Sequence, residues 1–182
     1  MKKISVLLLM ITLLSGCYPA QQTSTYEYLT LYPPASIDKD AYKKIKSFLF
    51  LYNNLDKGSV ASITDQTYAE SLYFNDTLVT LHTRPELIEY LENTQKRLQA
   101  INISALNVLE KDQDVFVHWK MQTGFTLMGK RHDVESLGIS HLRFNPQGKI
   151  ILHQDYWDST SGFFQHIPLI GGIIKWIKLL LQ

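Results

Sequence analysis

The sequence predicts an α+β domain, and three observations carry that assignment. Apolar residues between Ile37 and Leu98 recur mostly at helical spacing. After about Ile101 the period changes to two. The period-two segments are separated by turn signals, "KDQD" at 111–114, "MGKRHD" at 128–133 and "NPQG" at 145–148. Helices first and consecutive strands afterwards describe an antiparallel meander with helices against it.

Each element has its own signal. Asp38 is an N-cap, and Tyr42, Ile45, Phe48, Leu49 and Tyr52 give a helix that Asn53, Asn54 and Gly58 end. A short helix runs through Val60 and Ile63, and "SLYFNDTLVTLHT" is extended. Pro85 opens a further helix with Leu87, Ile88, Leu91 and Leu98 as its stripe. Its acids come early (Glu86, Glu89, Glu92) and its bases late (Lys96, Arg97), as the helix dipole prefers. Four strands follow: "ISALNVLE", "DVFVHWKMQTGFTL", "VESLGISHLRF" and "KIILHQDYWD".

The start of the chain bears on compartment. "MKKISVLLLMITLLSGC" has a basic opening, a short apolar run and small residues before a cysteine, the pattern of a secretory signal peptide. Leu14-Ser15-Gly16-Cys17 resembles a bacterial lipobox. That resemblance implies removal of residues 1–16 and acyl chains, palmitate among them, on Cys17. An ordinary signal peptide with a chance cysteine is the alternative. Tyr18 rather than Asp after the cysteine resembles lipoproteins of the outer membrane, facing the periplasm. Residues 17–36, rich in Thr, Ser, Gln and Pro, are a tether. The domain spans 37–165, and 166–182 form an apolar helical tail. Cys17 is the only cysteine, so no disulfide or cysteine zinc site is available. Loss of Lys2 and Lys3 leaves 16 basic against 17 acidic side chains, a balance unsuited to nucleic acid.

The order of elements, the "YFND" segment and the closing "LRFNPQGKIILHQDYWD" resemble the nuclear transport factor 2-like superfamily over residues 38–165. Its SnoaL-like branch, ketosteroid isomerase and limonene epoxide hydrolase are members. The resemblance implies a cone, in which a bent sheet wraps a helix and leaves an apolar pocket. Such folds host enzymes, carriers and assembly modules, so the fold does not choose among them.

Two registers of the last strand are open. A four-residue "NPQG" loop pairs Phe144 with Lys149, sets Ser140 opposite His153, and puts Asp155 and Trp157 on one face with Gly138, Ser140, Leu142 and Ile151. A three-residue loop with a bulged glycine turns Gln154, Tyr156 and Asp158 to that face instead, because a slip of one residue exchanges the faces. In the isomerase and the hydrolase, the positions resembling His153, Asp155 and Trp157 line the cone, and the first register follows from that. The expected pocket is then Phe48 and Tyr52 from the first helix, Val117, Trp119 and Met121, Gly138 and Ser140, and His153, Asp155 and Trp157, with Asp76 at the side. These large apolar side chains either surround a ligand or fill a core.

Asp76 resembles the isomerase's general base, and Asp155 an aspartate that helps activate water in the hydrolase. Both have structural alternatives, Asp76 as a turn cap and Asp155 as a cross-strand hydrogen-bond acceptor. Neither enzyme's set is complete. Phe48 stands where the isomerase needs a tyrosine donor, Ser140 where it needs a neutral aspartate, and Val117, Trp119 and Met121 replace the hydrolase's arginine–aspartate pair. No metal motif, cofactor loop or paired histidines appear in the sequence.

The tail "IIKWIKLLL" is too short to span a bilayer. It caps the cone, packs on another subunit as in a homodimer, or lies in the membrane interface. The sequence therefore leads to an envelope lipoprotein that binds or presents a small hydrophobic ligand, lipids included. The alternatives are an isomerase- or hydrolase-like enzyme using Asp76 and Asp155, and a module that docks another envelope protein. A pocket holding both carboxylates favours carrier or enzyme; a filled cone favours the module.

Overall fold

A computed structural model describes residues 22–34 and 36–181. The expected leader and the expected lipid site at Cys17 lie outside the described residues. The elements in order are α1 (Gln22–Leu31), α2 (Lys39–Asn53), α3 (Val60–Thr67), β1 (Tyr68–Asn75), β2 (Thr80–Thr83), α4 (Arg84–Gln95), β3 (Leu98–Lys111), β4 (Asp114–Leu127), β5 (Lys130–Phe144), β6 (Ile150–Trp157), α5 (Ser159–Gly162), a 3-10 turn (Phe164–His166) and α6 (Ile170–Leu180). The fold is the expected α+β arrangement of a curved sheet with helices against its inner face.

Local chemistry sets the helix ends. The Asp38 carboxylate accepts from the backbone N–H groups of Asp40 and Ala41 and so begins α2. α4 starts with a reciprocal cap: Thr83 accepts from the Glu86 N–H, and Glu86 accepts from the Thr83 N–H. α2 buries Ile45, Phe48, Leu49, Leu51 and Tyr52 against the sheet, while Tyr42 lies off that face. α1 falls within the stretch expected as a tether. Its Tyr28 meets His118 of β4 edge-on at 5.9 Å.

The sheet runs β2-β1-β6-β5-β4-β3. β3 to β6 are antiparallel neighbours, whereas β1 joins β6 in parallel. The β4–β5 turn is tighter than its sequence signal, since β5 already begins at Lys130 and only Met128 and Gly129, both at positive φ, make the corner.

The β5–β6 register differs from the expected pairing in an instructive way. Phe144 pairs with Ile150 and Arg143 with Leu152, so Ile151 is the extra residue of a bulge. Ser140 therefore faces Asp155 rather than His153, and Ile151 turns outward while Ile150 is buried. His153, Asp155 and Trp157 share the inner side; Tyr156 is 59% exposed and Asp158 caps α5 by accepting from the Ser161 N–H.

One surface cluster predicts a pH effect. Asp114 of β4 accepts from Arg143 and is bonded to His141, both on β5. Arg143 first and His141 second hold its carboxyl down at about 2, against an ordinary 3.8. A depressed carboxylate adds stability that is complete above its unfolded value and lost as pH falls through the folded one. Asp114→Asn is therefore expected to flatten the stability profile between about pH 4 and about pH 2, read from urea titrations at each pH. An unchanged acid limb would remove Asp114 from the account.

Candidate functional site

The inner face of the sheet carries a continuous line of buried polar groups. The Trp119 indole N–H of β4 donates to Ser140 Oγ of β5 at 2.9 Å. Ser140 in turn donates to Asp155 Oδ1 of β6 at 2.5 Å. His153 Nε2 meets the same oxygen at 2.7 Å, and His153 Nδ1 meets the Tyr68 hydroxyl of β1 at 2.6 Å. The Tyr52 phenol of α2 lies beside Tyr68, close enough for each to act on the other's ionisation. A carboxylate only accepts, so in the neutral imidazole Nε2 carries the proton and Nδ1 accepts from Tyr68. Residues two apart on a strand stand about 7 Å apart along the backbone. The side chains of His153 and Asp155 instead lean together.

Aromatic rings enclose this line. Phe48, Tyr52 and Phe74 each present an edge or face to His153, with centroids at 5.5, 6.1 and 4.9 Å, and Tyr68 stacks on it at 6.1 Å. Burial pushes the Tyr52 and Tyr68 phenols far above their ordinary range, and the carboxylates of Asp155 and Asp76 add to the shift. Both hydroxyls therefore stay protonated donors.

The expected pocket is thus occupied by its own lining. Phe48, Val117, Trp119, Ser140 and His153 are all fully enclosed, and Trp119 lies over Gly138 so closely that a Cβ there would be 2.3 Å from the indole. Met121 and Trp157 pack against the core from its margin. The physical reason is volume: an indole, an imidazole and four other rings (Phe48, Tyr52, Tyr68 and Phe74) converge where a ligand was expected. Asp155 retains 12% side-chain exposure.

Asp76 is held apart from this line. Its Oδ1 accepts from the N–H groups of Leu78 and Val79, which caps the β1–β2 turn, and its Oδ2 accepts from the Tyr90 hydroxyl. Its backbone carbonyl accepts from the Trp157 indole at 2.8 Å. Burial raises the Tyr90 phenol, and the neighbouring Asp76 carboxylate raises it further.

Sequence reading missed Tyr68, Phe74 and Tyr90. The extended segment was started at Ser71, three residues late, so Tyr68 fell at the helix–strand junction. Alternation back from Phe74 through Leu72 is the signal that points toward Tyr68.

An open groove lies elsewhere, between the outer side of α2, α3 and the β3–β4 and β5–β6 turns. Its volume is about 830 Å³. Phe50, Ile63, Val115 and Phe144 give it an apolar floor, and Lys43 and Lys46 stand among its rim residues. Phe50 is 53% exposed. Among the described residues, no group of three or more His, Cys, Asp or Glu side chains is placed to hold a metal ion.

Solved structures share this fold. A SnoaL-like polyketide cyclase candidate from Shewanella denitrificans OS-217 is 13% identical with a TM-score of 0.57, over 65% of this chain and 93% of its own. An NTF2-like protein of unknown function from Exiguobacterium sp. 255-15 is 13% identical with a TM-score of 0.54, over 63% and 98%. An LEH-like epoxide hydrolase from M. tuberculosis is 16% identical with a TM-score of 0.54, over 78% and 95%. These likenesses establish an NTF2-like fold. No curated protein matches the sequence. A family model does match, over residues 46–153, and by that match the chain belongs to the family described as uncharacterized conserved protein, DUF2358.

Proposed function

We propose that this chain is a non-catalytic NTF2-like binding domain of the cell envelope that holds a small amphiphile with an acidic head. The observation that carries the reading is the groove beside α2. Its volume falls within the range of roughly 300–1,000 Å³ usual for small-ligand sites. An apolar floor under a rim in which Lys43, Lys44 and Lys46 outnumber Asp40 and Asp112 suits a chain or ring system with one negative end. The cone interior argues in the same direction, because its polar groups hold one another and its rings leave them no substrate. The ligand seat thus moves from the cone, where the sequence reading put it, to the groove. The lipid on Cys17 expected from the leader would keep that groove at a membrane surface.

Anilinonaphthalene sulfonate, an apolar anion, tests this directly. Phe50→Asp should weaken its binding at least about tenfold, equivalent to about 1.4 kcal/mol. Lys43→Glu with Lys46→Glu should weaken it similarly, whereas Asp155→Asn should leave it within about tenfold. Binding that ignores the groove variants but is lost in Asp155→Asn would return the site to the cone. The filled cone favours one other reading, a module that docks an envelope protein through the same groove. That reading gains if the probe does not bind and a protein partner is lost with Phe50→Asp.

A further inference from the structure

The outward face of α6 has no counterpart in the domain. On a helical wheel Ile170, Ile173, Ile177 and Leu180 fall in one stripe at spacings of three, four and three, with Trp176 at its edge. All five are exposed, Trp176 at 57%. The opposite side is the one that docks. Gly171 is buried against the preceding 3-10 turn, where an added Cβ would lie 2.0 Å from the Gln165 carbonyl oxygen. Ile174 is half-buried beside it, and Lys178 Nζ reaches Ser161 Oγ at 3.4 Å. The helix is therefore fixed to the body by its small and basic side, and its apolar side is held outward.

The approach to the helix reinforces this orientation. Leu169 has φ 69° and is almost fully exposed. A leucine held in the left-handed region costs backbone energy, and here that strain presents another apolar side chain to the outside. The 3-10 turn is secured at the end of the sheet by His166 against His132, at 4.8 Å, and against Phe125. The β4–β5 hairpin leaves that same end with Met128 exposed at its tip and Lys130 and Arg131 following it.

We infer that α6 docks on the interfacial layer of an anionic bilayer, with Ile170, Ile173, Trp176, Ile177 and Leu180 bedded among the acyl chains. Four features select lipid as the occupant. The helix contains two lysines and no acid, which matches anionic headgroups. Trp176 sits at the margin of the stripe, where an indole spans the apolar–polar boundary. Lys175 is exposed on the side away from the stripe, and so adds to the basic polar face that helices lying on a bilayer surface carry. No helix among the described residues is long and apolar enough to cross a membrane, so the mode is lying on the surface rather than spanning it. A second copy seated on the same stripe is the competing occupant, and the test below separates it from lipid. The inference rests on α6 alone and survives failure of the groove reading.

The test uses the full chain reconstituted into vesicles of phosphatidylglycerol and brominated phosphatidylcholine in equal parts. Because the leader or a lipid on Cys17 would bind vesicles by itself, the readout is the depth of Trp176 rather than binding. The Trp176 component is the emission of the wild type minus that of Trp176→Phe, which cancels Trp119 and Trp157. That component should be blue-shifted and quenched about twofold or more by bromine, because an interfacial helix buries its apolar face at the acyl boundary. In Ile173→Glu with Ile177→Glu it should become water-like and unquenched. These positions are exposed, so the variants should keep the wild-type melting transition. A Trp176 component insensitive to bromine in the wild type overturns the proposal. So does a chain that is dimeric with Trp176 shielded from bromine and becomes monomeric when Ile173 and Ile177 are replaced.

Discussion

Trp119→Ala is expected to destabilise the domain by about 3–5 kcal/mol, the usual cost of removing a buried indole. Domains of this size are stable by only about 5–15 kcal/mol, so the change removes a large share of the total. The side chain is 2% exposed, fills the space over Gly138, and gives Ser140 its indole donor. Its loss opens a cavity and leaves Ser140 with one partner fewer. Guanidinium unfolding should show a lower midpoint with an unchanged slope. Trp119→Phe should recover most of the volume but not the hydrogen bond, and so should fall between the two. Gly138→Ala approaches the same contact from the other side and should force the indole away. A Trp119→Ala loss below about 1 kcal/mol would mean that the indole is not part of a packed interior, and the cone would again be a candidate ligand space.

What could be read from the residues follows from the range of the interactions involved. β3 to β6 were legible because alternation is a local pattern, and α4 because Thr83, Pro85 and Glu86 are neighbours in sequence. The inner face of β6 was legible through His153, Asp155 and Trp157. Its partner was not: a turn one residue longer, with Phe144 opposite Ile150, and the bulge at Ile151 together moved Ser140 from His153 to Asp155, and only pairing between strands shows either. α1 had no apolar stripe to announce it, and what holds it is a ring contact to His118, distant in sequence. The filled cone was an even choice from composition, since the same Trp119 and Phe48 either line a cavity or close it. The groove was invisible for a related reason. Phe50 lies off the apolar stripe of α2, and its companions Val115 and Phe144 come from strands that only the tertiary fold brings beside it.

His153→Leu is expected to be the other severe change, although it keeps most of the side-chain volume. Two hydrogen bonds disappear together, and the Tyr68 hydroxyl and Asp155 Oδ1 each lose a partner in a place water scarcely reaches. The Tyr68 hydroxyl proton loses its acceptor at a cost of about 1–3 kcal/mol, while Asp155 Oδ1 keeps the bond from Ser140. The apolar replacement cannot recover this, because the rings of Phe48, Tyr52, Tyr68 and Phe74 are arranged around a planar imidazole. The magnitude alone would not show that the groups act as one unit, and a double-mutant cycle does. Tyr68→Phe alone removes the donor to Nδ1, so combining it with His153→Leu removes a group already stranded. The double variant should therefore lose less than the sum of the single changes, by about 0.5–3 kcal/mol. Thermal or denaturant unfolding of the four proteins measures it. Additive losses would mean that Tyr68 and His153 only share a neighbourhood. The same variants separate structure from ligand binding: if His153→Leu is less stable yet still takes up the anionic probe while folded, the polar line serves to hold α2, β1 and β4 to β6 in register. Under that outcome the buried histidine and aspartate of "HQDYWDST" act as a framework, and binding belongs to the outer side of α2.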